Sequence, residues 1–223
     1  MISIIMPVYN EEAAIGEALS GLLRNNNIEV IVADGNSSDR TVELAKRYPV
    51  KIIFSKKGRA QQMNAGAKAA AGRYLIFLHA DCFLESGAIE AIKGAFNDGY
   101  AGGCLSCRIN SPKIMYRLIE ASGNIRARIS KIFYGDQAIF ARRDIFFKIG
   151  GFDDVALFED ILFSQKMKKE GRAAVLSKAV YASARRWERG GIIKTTFIYW
   201  LLTLGFYLRF PLVKLKRIYD EVR

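Results

Sequence analysis

Ile28-Glu29-Val30-Ile31-Val32-Ala33-Asp34-Gly35-Asn36-Ser37-Ser38-Asp39-Arg40-Thr41 sets the fold class. Ile28–Ala33 is rich in β-branched side chains and predicts a buried strand. It stops at Asp34-Gly35, and Ser38-Asp39 then offer caps for a helix over Thr41–Arg47. The same alternation extends both ways. Upstream, Ile2–Pro7 predicts a strand and Glu11–Leu23 a helix, with Ile15, Leu19, Leu22 and Leu23 at helical spacing. Downstream come a strand over Val50–Phe54, an Ala-rich helix over Gln61–Ala71 closed by Gly72, and a strand over Tyr74–Leu78. Strand and helix in strict turn predict an α/β fold, with a mostly parallel sheet and helices on both faces. Such sheets bind ligands beyond the carboxyl ends of their strands. Tyr9-Asn10-Glu11, Asp34-Gly35 and His79-Ala80-Asp81 all fall there.

The chain has 223 residues, enough for one domain with a full core, and 51% of them are hydrophobic, which excludes a disordered tail. Three cysteines, Cys82, Cys104 and Cys107, exclude a disulfide scaffold, and the Cys104–Cys107 pair lacks the second pair that a structural zinc needs. No basic segment precedes the apolar start, and Pro7 cuts it short, so a first strand rather than a signal peptide is expected, in a cytoplasmic protein. The net charge of +12 is uneven: residues 1–110 carry 12 Lys+Arg against 11 Asp+Glu, whereas residues 111–223 carry 22 against 11. That excess suits phosphates or an anionic membrane. No basic-aromatic motif of a nucleic-acid module is present, so no nucleic-acid partner is expected.

The second half is less regular. Gly135-Asp136-Gln137 precedes a strand-like Ala138-Ile139-Phe140; Gly150-Gly151-Phe152 is a turn; Asp160–Lys169 predicts a helix and Val175–Ala179 a short strand. Residues 1–190 are expected to form the main α/β domain, with 191–223 a helical tail. The tail is apolar from Ile192 to Val213, but a span through to Val213 would contain Arg209 and Pro211. A helix or hairpin seated at the inner membrane face by Lys214, Lys216 and Arg217 is one reading; a helix packed on the catalytic domain, or on a partner copy in a homodimer, is another.

Six blocks, in order, resemble the family 2 glycosyltransferases. They are Pro7-Val8-Tyr9-Asn10-Glu11, Val32–Thr41, Gly58–Gly66, Leu78-His79-Ala80-Asp81, Gly150-Gly151-Phe152 and Phe158-Glu159-Asp160. The fourth stands where the family's DxD motif would be, with His79 in place of its first Asp. The resemblance implies a GT-A fold and an inverting, metal-dependent transfer from a UDP- or GDP-linked sugar to a hydroxyl acceptor, with a lipid or lipid-linked glycan among the acceptor classes. A non-catalytic nucleotide-sugar-binding or membrane scaffold is the alternative.

In that frame Pro7, Tyr9, Glu11, Asp34, Gly58, Arg59, Asn64 and Ala80 line the nucleotide site. Tyr9 offers a face for a base and Asp34 an acceptor for a ring N–H; otherwise they are a core aromatic and a turn former. Glu11 also suits a first helical turn. Gly58-Arg59 precede a helix N-terminus, which favours an anion, and Arg59 reads either as a diphosphate contact or as a solvated loop charge. Asp81, with His79 beside it, is the candidate ligand for Mn²⁺ or Mg²⁺, because hard cations take oxygen donors; His79 alone reads as a polar strand end. The resemblance makes Asp160 the catalytic base, with Asp136 its rival. Gly135, Asp136, Glu159, Arg185, Arg186 and Trp187 are candidate donor and acceptor contacts. Arg185-Arg186-Trp187 otherwise reads as a basic cluster flanking the tail.

Overall fold

In chain order, β1 (Ile2–Val8), α1 (Ile15–Leu22), β2 (Ile28–Asp34), α2 (Thr41–Ala45), β3 (Lys51–Phe54), α3 (Arg59–Ala69) and β4 (Tyr74–Phe77) realise the alternation in a computed structural model that describes residues 1–222. β1 is buried along its length, as a strand covered on both faces must be. Its alternate side chains feed two cores. Ile2, Ile4, Met6 and Val8 pack with Ile15 and Leu19 of α1, while Ile5 packs with Ala60, Met63 and Ala67 of α3.

The boundaries differ from the sequence reading for local reasons. α1 begins at Ile15 rather than Glu11, because residues 11–14 form a turn in which the Glu11 carbonyl accepts from Ala14 and Ile15. α2 stops at Ala45. α3 starts at Arg59 and ends at Ala69, where Ala70 is already extended. Gly72 therefore does not close that helix. It lies against β1, where a Cβ would come within 2.5 Å of Ser3 Oγ.

β5 (Cys82–Leu84), α4 (Ala88–Asn97), β6 (Gly102–Ile109) and α5 (Ile114–Ser130) lie where the sequence pattern predicts no element. A 3-10 turn over Gly135–Gln137 leads to β7 (Phe140–Arg142), α6 (Arg143–Lys148), α7 (Glu159–Met167) and β8 (Ala173–Ala182). β8 is longer than the predicted Val175–Ala179, because it pairs with both β6 and β5. The sheet order is β3-β2-β1-β4-β7-β6-β8-β5. β1 to β4 are mutually parallel, β6 and β8 are parallel to each other, and β7 and β5 run against their neighbours. Phe77, Phe146, Phe152 and Phe163 form an aromatic core behind β4, with centroids 4.4–6.4 Å apart.

α8 (Arg185–Gly190) leads into the tail, which forms α9 (Ile192–Tyr207) and α10 (Leu212–Val222). α9 and α10 make a hairpin, in which Gly205 lets Leu215 approach: a Cβ there would lie 2.9 Å from the leucine. Leu202, Leu215 and Tyr219 pack with Leu157 of the loop before α7, so the hairpin is seated on the sheet domain. Among the described residues no helix is long and apolar enough to cross a membrane.

Candidate functional site

Two adjoining cavities open beyond the carboxyl ends of β1 and β4. One, of about 690 Å³, is bordered by Pro7, Tyr9, Glu11, Gly58, Arg59, Ala80 and Arg185. The other, about 620 Å³, is bordered by Gly135, Asp136, Asp160 and Trp187, and runs out between α5 and α9. His79, Asp81, Glu159, Arg59, Arg186 and Tyr219 border both. Most side chains singled out from the sequence therefore meet around one junction.

The loop after β1 is fixed by the loop after β2. Asn10 adopts φ +53°; its N–H donates to Ser37 Oγ at 3.0 Å, and its Oδ1 accepts from the Ser38 N–H at 2.9 Å. The Glu11 N–H donates to Thr41 Oγ1 at 2.8 Å and the Glu12 N–H to Asp39 Oδ2 at 3.0 Å. Asp39 also accepts from the Thr41 N–H at 2.9 Å, so it serves as the start signal of α2. This network places Tyr9, whose ring carries Lys57 Nζ 3.7 Å from its centroid.

Two sequence-predicted nucleotide residues do not border either cavity. Asp34 is fully buried, and its carboxylate accepts from the Ser37 N–H at 2.9 Å and from Ser37 Oγ at 2.5 Å. It organises the turn that holds Asn10 instead of facing a base. Asn64 is spent on Phe152: its Nδ2 donates to the Phe152 carbonyl at 2.8 Å and its Oδ1 accepts from the Phe152 N–H at 3.0 Å. This pair locks the Gly150-Gly151 turn, whose φ values of +79° and +66° suit glycine.

The polar cavity is cationic on one wall. Arg185 donates to Asp81 Oδ2 at 3.0 Å and lies 3.5 Å from Glu11. Burial would raise the Asp81 carboxyl, but His79, Arg185 and Arg186 outweigh it and hold the group below the usual carboxylate range. Arg59 Nη2 and Arg186 Nη1 both donate to the Tyr219 hydroxyl, at 2.9 and 3.0 Å. Arg59 also lies 3.9 Å from Glu159, itself buried. Two guanidiniums thus converge on one oxygen at the floor of the junction.

On the other side stands Asp160, at the start of α7. Its two oxygens accept from separate backbone donors, the Gly135 N–H at 2.7 Å and the Ile161 N–H at 2.8 Å. Burial, and then the neighbouring charge of Glu159, outweigh these bonds and Arg59, and push its carboxyl up to about 7. A carboxylate with that value is poised to exchange a proton near neutrality. Asp136 is also raised by burial, against the pull of Arg126 and Arg186. His79 lies against Gly135, where a Cβ would come within 2.8 Å of its Nε2 and 3.6 Å of Asp160 Oδ2, so only glycine leaves the ring its place. Trp187 is anchored to α9, its Nε1 donating to Thr196 Oγ1 at 3.1 Å, with Tyr116 and Tyr199 packed around it.

Tyr219, Arg126 and Gln62 belong to the site without having been singled out. Gln62 is buried and donates to the Val8 and Ala33 carbonyls at 2.6 and 2.8 Å, which clamps the ends of β1 and β2. It lay inside the Gly58–Gly66 block, and its polar side chain on a buried helix face was the available signal. Arg126 on α5 and Tyr219 on α10 lie outside every motif. Burial pushes all three cysteine thiols up, and two of them donate to carboxylates of the site: Cys82 Sγ to Asp81 Oδ1 at 3.8 Å and Cys107 Sγ to Asp136 Oδ2 at 3.9 Å.

Among the described residues no group of three or more His, Cys, Asp and Glu side chains comes together as a metal site. Asp81 nonetheless presents a hard carboxylate oxygen to the polar cavity. That donor fits a hard divalent cation once Arg185 gives up its ion pair.

Comparison with known proteins bears on the family and the fold. The sequence model described as glycosyl transferase family 2 matches residues 3–153. A dolichol-phosphate mannosyltransferase of Pyrococcus furiosus is 31% identical over 162 residues, covering 68% of this chain and 45% of that one. Among solved structures, the mannosyltransferase PcManGT of Pyrobaculum calidifontis, in complex with GDP-Man and Mn²⁺, superposes with a TM-score of 0.64 at 23% identity, covering 80% of this chain and 56% of that one. Staphylococcus aureus TarS 1-349, in complex with UDP-GlcNAc, gives 0.62 at 22% identity, covering 82% and 58%. These likenesses establish the fold as GT-A. The chain spans 12–63% of the length of the first relatives it matches.

Proposed function

The chain belongs to glycosyl transferase family 2, and from that premise we propose that it transfers a sugar from a UDP- or GDP-linked donor to a hydroxyl acceptor, with inversion at the anomeric carbon. The observation that carries this reading is the division of the site. Of the two cavities, Arg185 and Arg189 border only the polar one and Asp160 only the more apolar one, while Arg59 and Arg186 stand at the junction between them.

In this reading the donor lies in the polar cavity, with its base near Tyr9 and its diphosphate against Arg59 and Arg186. A pair of guanidiniums matches phosphate oxygens and offsets the charge that grows as the diphosphate leaves. A bound Mn²⁺ or Mg²⁺, held by Asp81 with His79 nearby, would add Lewis-acid stabilisation of the same charge. The acceptor enters from the other cavity. Asp160 takes the hydroxyl proton as the oxygen bonds to the anomeric carbon, and the carbon–phosphate-oxygen bond breaks with its electron pair going to the nucleoside diphosphate. Glu159 beside it keeps the carboxyl basic, and the two backbone N–H donors aim it. Asp136 lies on the same side and serves as an acceptor contact.

The tail supports a membrane-facing enzyme at the cytoplasmic surface. Phe197, Trp200, Leu201 and Leu204 of α9 are exposed, and Lys194, Arg209 and Lys214 flank them. That combination suits an anionic bilayer, and a relative named for dolichol phosphate makes a lipid-borne acceptor the favoured class. The test is release of UDP or GDP from a panel of nucleotide sugars, with and without Mn²⁺, in the presence of vesicles. A donor that is consumed only with the intact Asp160 supports the proposal. The ion pair between Asp81 and Arg185 favours one second reading, a nucleotide-sugar-binding scaffold that holds no cation; such a protein would bind UDP and turn over no donor.

A further inference from the structure

We propose that the channel between α5 and α9 is a binding site for the apolar chain of the acceptor, so that the substrate is an amphiphile held along its chain and not only by its head. The inference rests on the transfer reading and adds the place and the chemistry of the acceptor.

The cavity that contains Asp160 does not end there. It continues between Ile119 and Gly123 on α5 and Trp200 and Leu204 on α9. Both helices also present apolar stripes to solvent: Ile114, Leu118, Ile125 and Ile129 on α5, and Ile193, Phe197, Trp200 and Leu204 on α9. The intervals of four, seven and eleven put each set on one helix face. Exposed apolar surface of this extent marks an interaction site. Continuity with the catalytic junction selects the occupant. Arg126, Asp136 and Arg186 border the inner part of the channel, and Trp200, Leu204 and Tyr207, with the hydroxyls of Thr196 and Thr203 among them, the part along α9, so the channel suits a ligand polar at one end and mainly apolar beyond it. A helix of a second copy would cover the stripes but would bring no oxygen to Asp160. Lys113, Arg128, Lys131 and Lys194 at the helix flanks favour an anionic bilayer as the source of that chain.

Gly123 provides the test. Gly123 borders the channel and a Cβ there meets nothing within 4 Å, so the backbone accepts a side chain and Gly123→Phe directs a ring toward the channel; the parallel UDP affinity reports whether the fold is kept. Leu204→Glu, at an exposed position on the opposite wall, charges the channel by an independent route. The probe is pyrene-labelled dodecyl phosphate, followed by energy transfer from the native tryptophans, with UDP affinity measured in parallel. Wild type should bind the probe saturably; unlabelled dodecyl phosphate should compete and inorganic phosphate should not. Both variants should bind it at least tenfold more weakly while binding UDP as wild type does. Equal probe binding by the variants overturns the proposal, as does competition by inorganic phosphate alone. A dimer that the variants dissociate, with no change in probe affinity, overturns it in favour of a subunit interface. Failure of the wild type to bind UDP or to consume any donor sinks the transfer reading and leaves the probe result to be read on its own.

Discussion

Replacing Asp160 by Asn tests the site through both catalysis and stability. The carboxyl, at about 7 in the folded chain, lies roughly three units above its ordinary value, and each unit corresponds to about 1.4 kcal/mol. An acid raised on folding holds its proton longer in the native state than in the unfolded one. Its ionisation therefore erodes stability as pH rises from the unfolded value to about 7, and the penalty is complete above that. Between pH 5 and 8 the wild type should lose about 3 kcal/mol that Asp160→Asn does not lose. With a urea slope of about 3 kcal/mol per molar, the midpoint of the variant should gain about 1 M on the wild type over that interval. The same titration should govern the rate: wild-type kcat/KM should climb about tenfold from pH 6 to pH 8 as the base ionises. The variant should lose that slope together with about 100- to 10,000-fold of its activity. UDP affinity should be unchanged, because Asp160 does not border the polar cavity. Parallel urea midpoints for the two proteins at every pH, or a variant that loses UDP binding instead of turnover, would refute the assignment.

Asp81→Ala should weaken UDP binding in the presence of Mn²⁺ but not in its absence, as read by calorimetry; equal loss in both conditions would leave the carboxylate as a partner of Arg185 and nothing more. Tyr219→Phe removes the oxygen shared by Arg59 and Arg186, and the loss of two charge-assisted bonds should raise the dissociation constant for UDP about tenfold with the fold intact. An unchanged constant would show that the arginines hold their places without it. Ending the chain after Gly191 should release the protein from anionic vesicles in a flotation assay and also weaken UDP binding, since Tyr219 goes with the hairpin. Release with full UDP affinity would separate the tail from the donor site.

The parts of the fold legible in the sequence are those in which local pattern and tertiary role coincide. β1, β2 and β4 are buried on both faces, so their apolar runs needed no partner to be recognised. β6 was not legible. Gly102-Gly103-Cys104 carries weak strand propensity, and the strand exists because two glycines let β7 and β8 close in on either side. The candidate site divides the same way. His79, Asp81 and Asp160 stand where a motif places them and meet at the junction. Asp34 stands in its motif as well, yet its two oxygens are taken by Ser37, because a carboxylate that ends a strand beside Gly35 can serve the turn as readily as a ligand. Arg59 and Tyr219 are separated by 160 positions. Nothing in the local character of α10, a helix with alternating basic and apolar side chains, announces that one of its hydroxyls completes a cationic pocket begun on α3. The polar contact follows from the apolar one: Leu202, Leu215 and Leu157 seat the hairpin, and the seating brings Tyr219 to the arginines. The tail should therefore couple to the donor site through packing, so that loosening the leucine cluster weakens nucleotide binding without touching any residue that contacts the nucleotide.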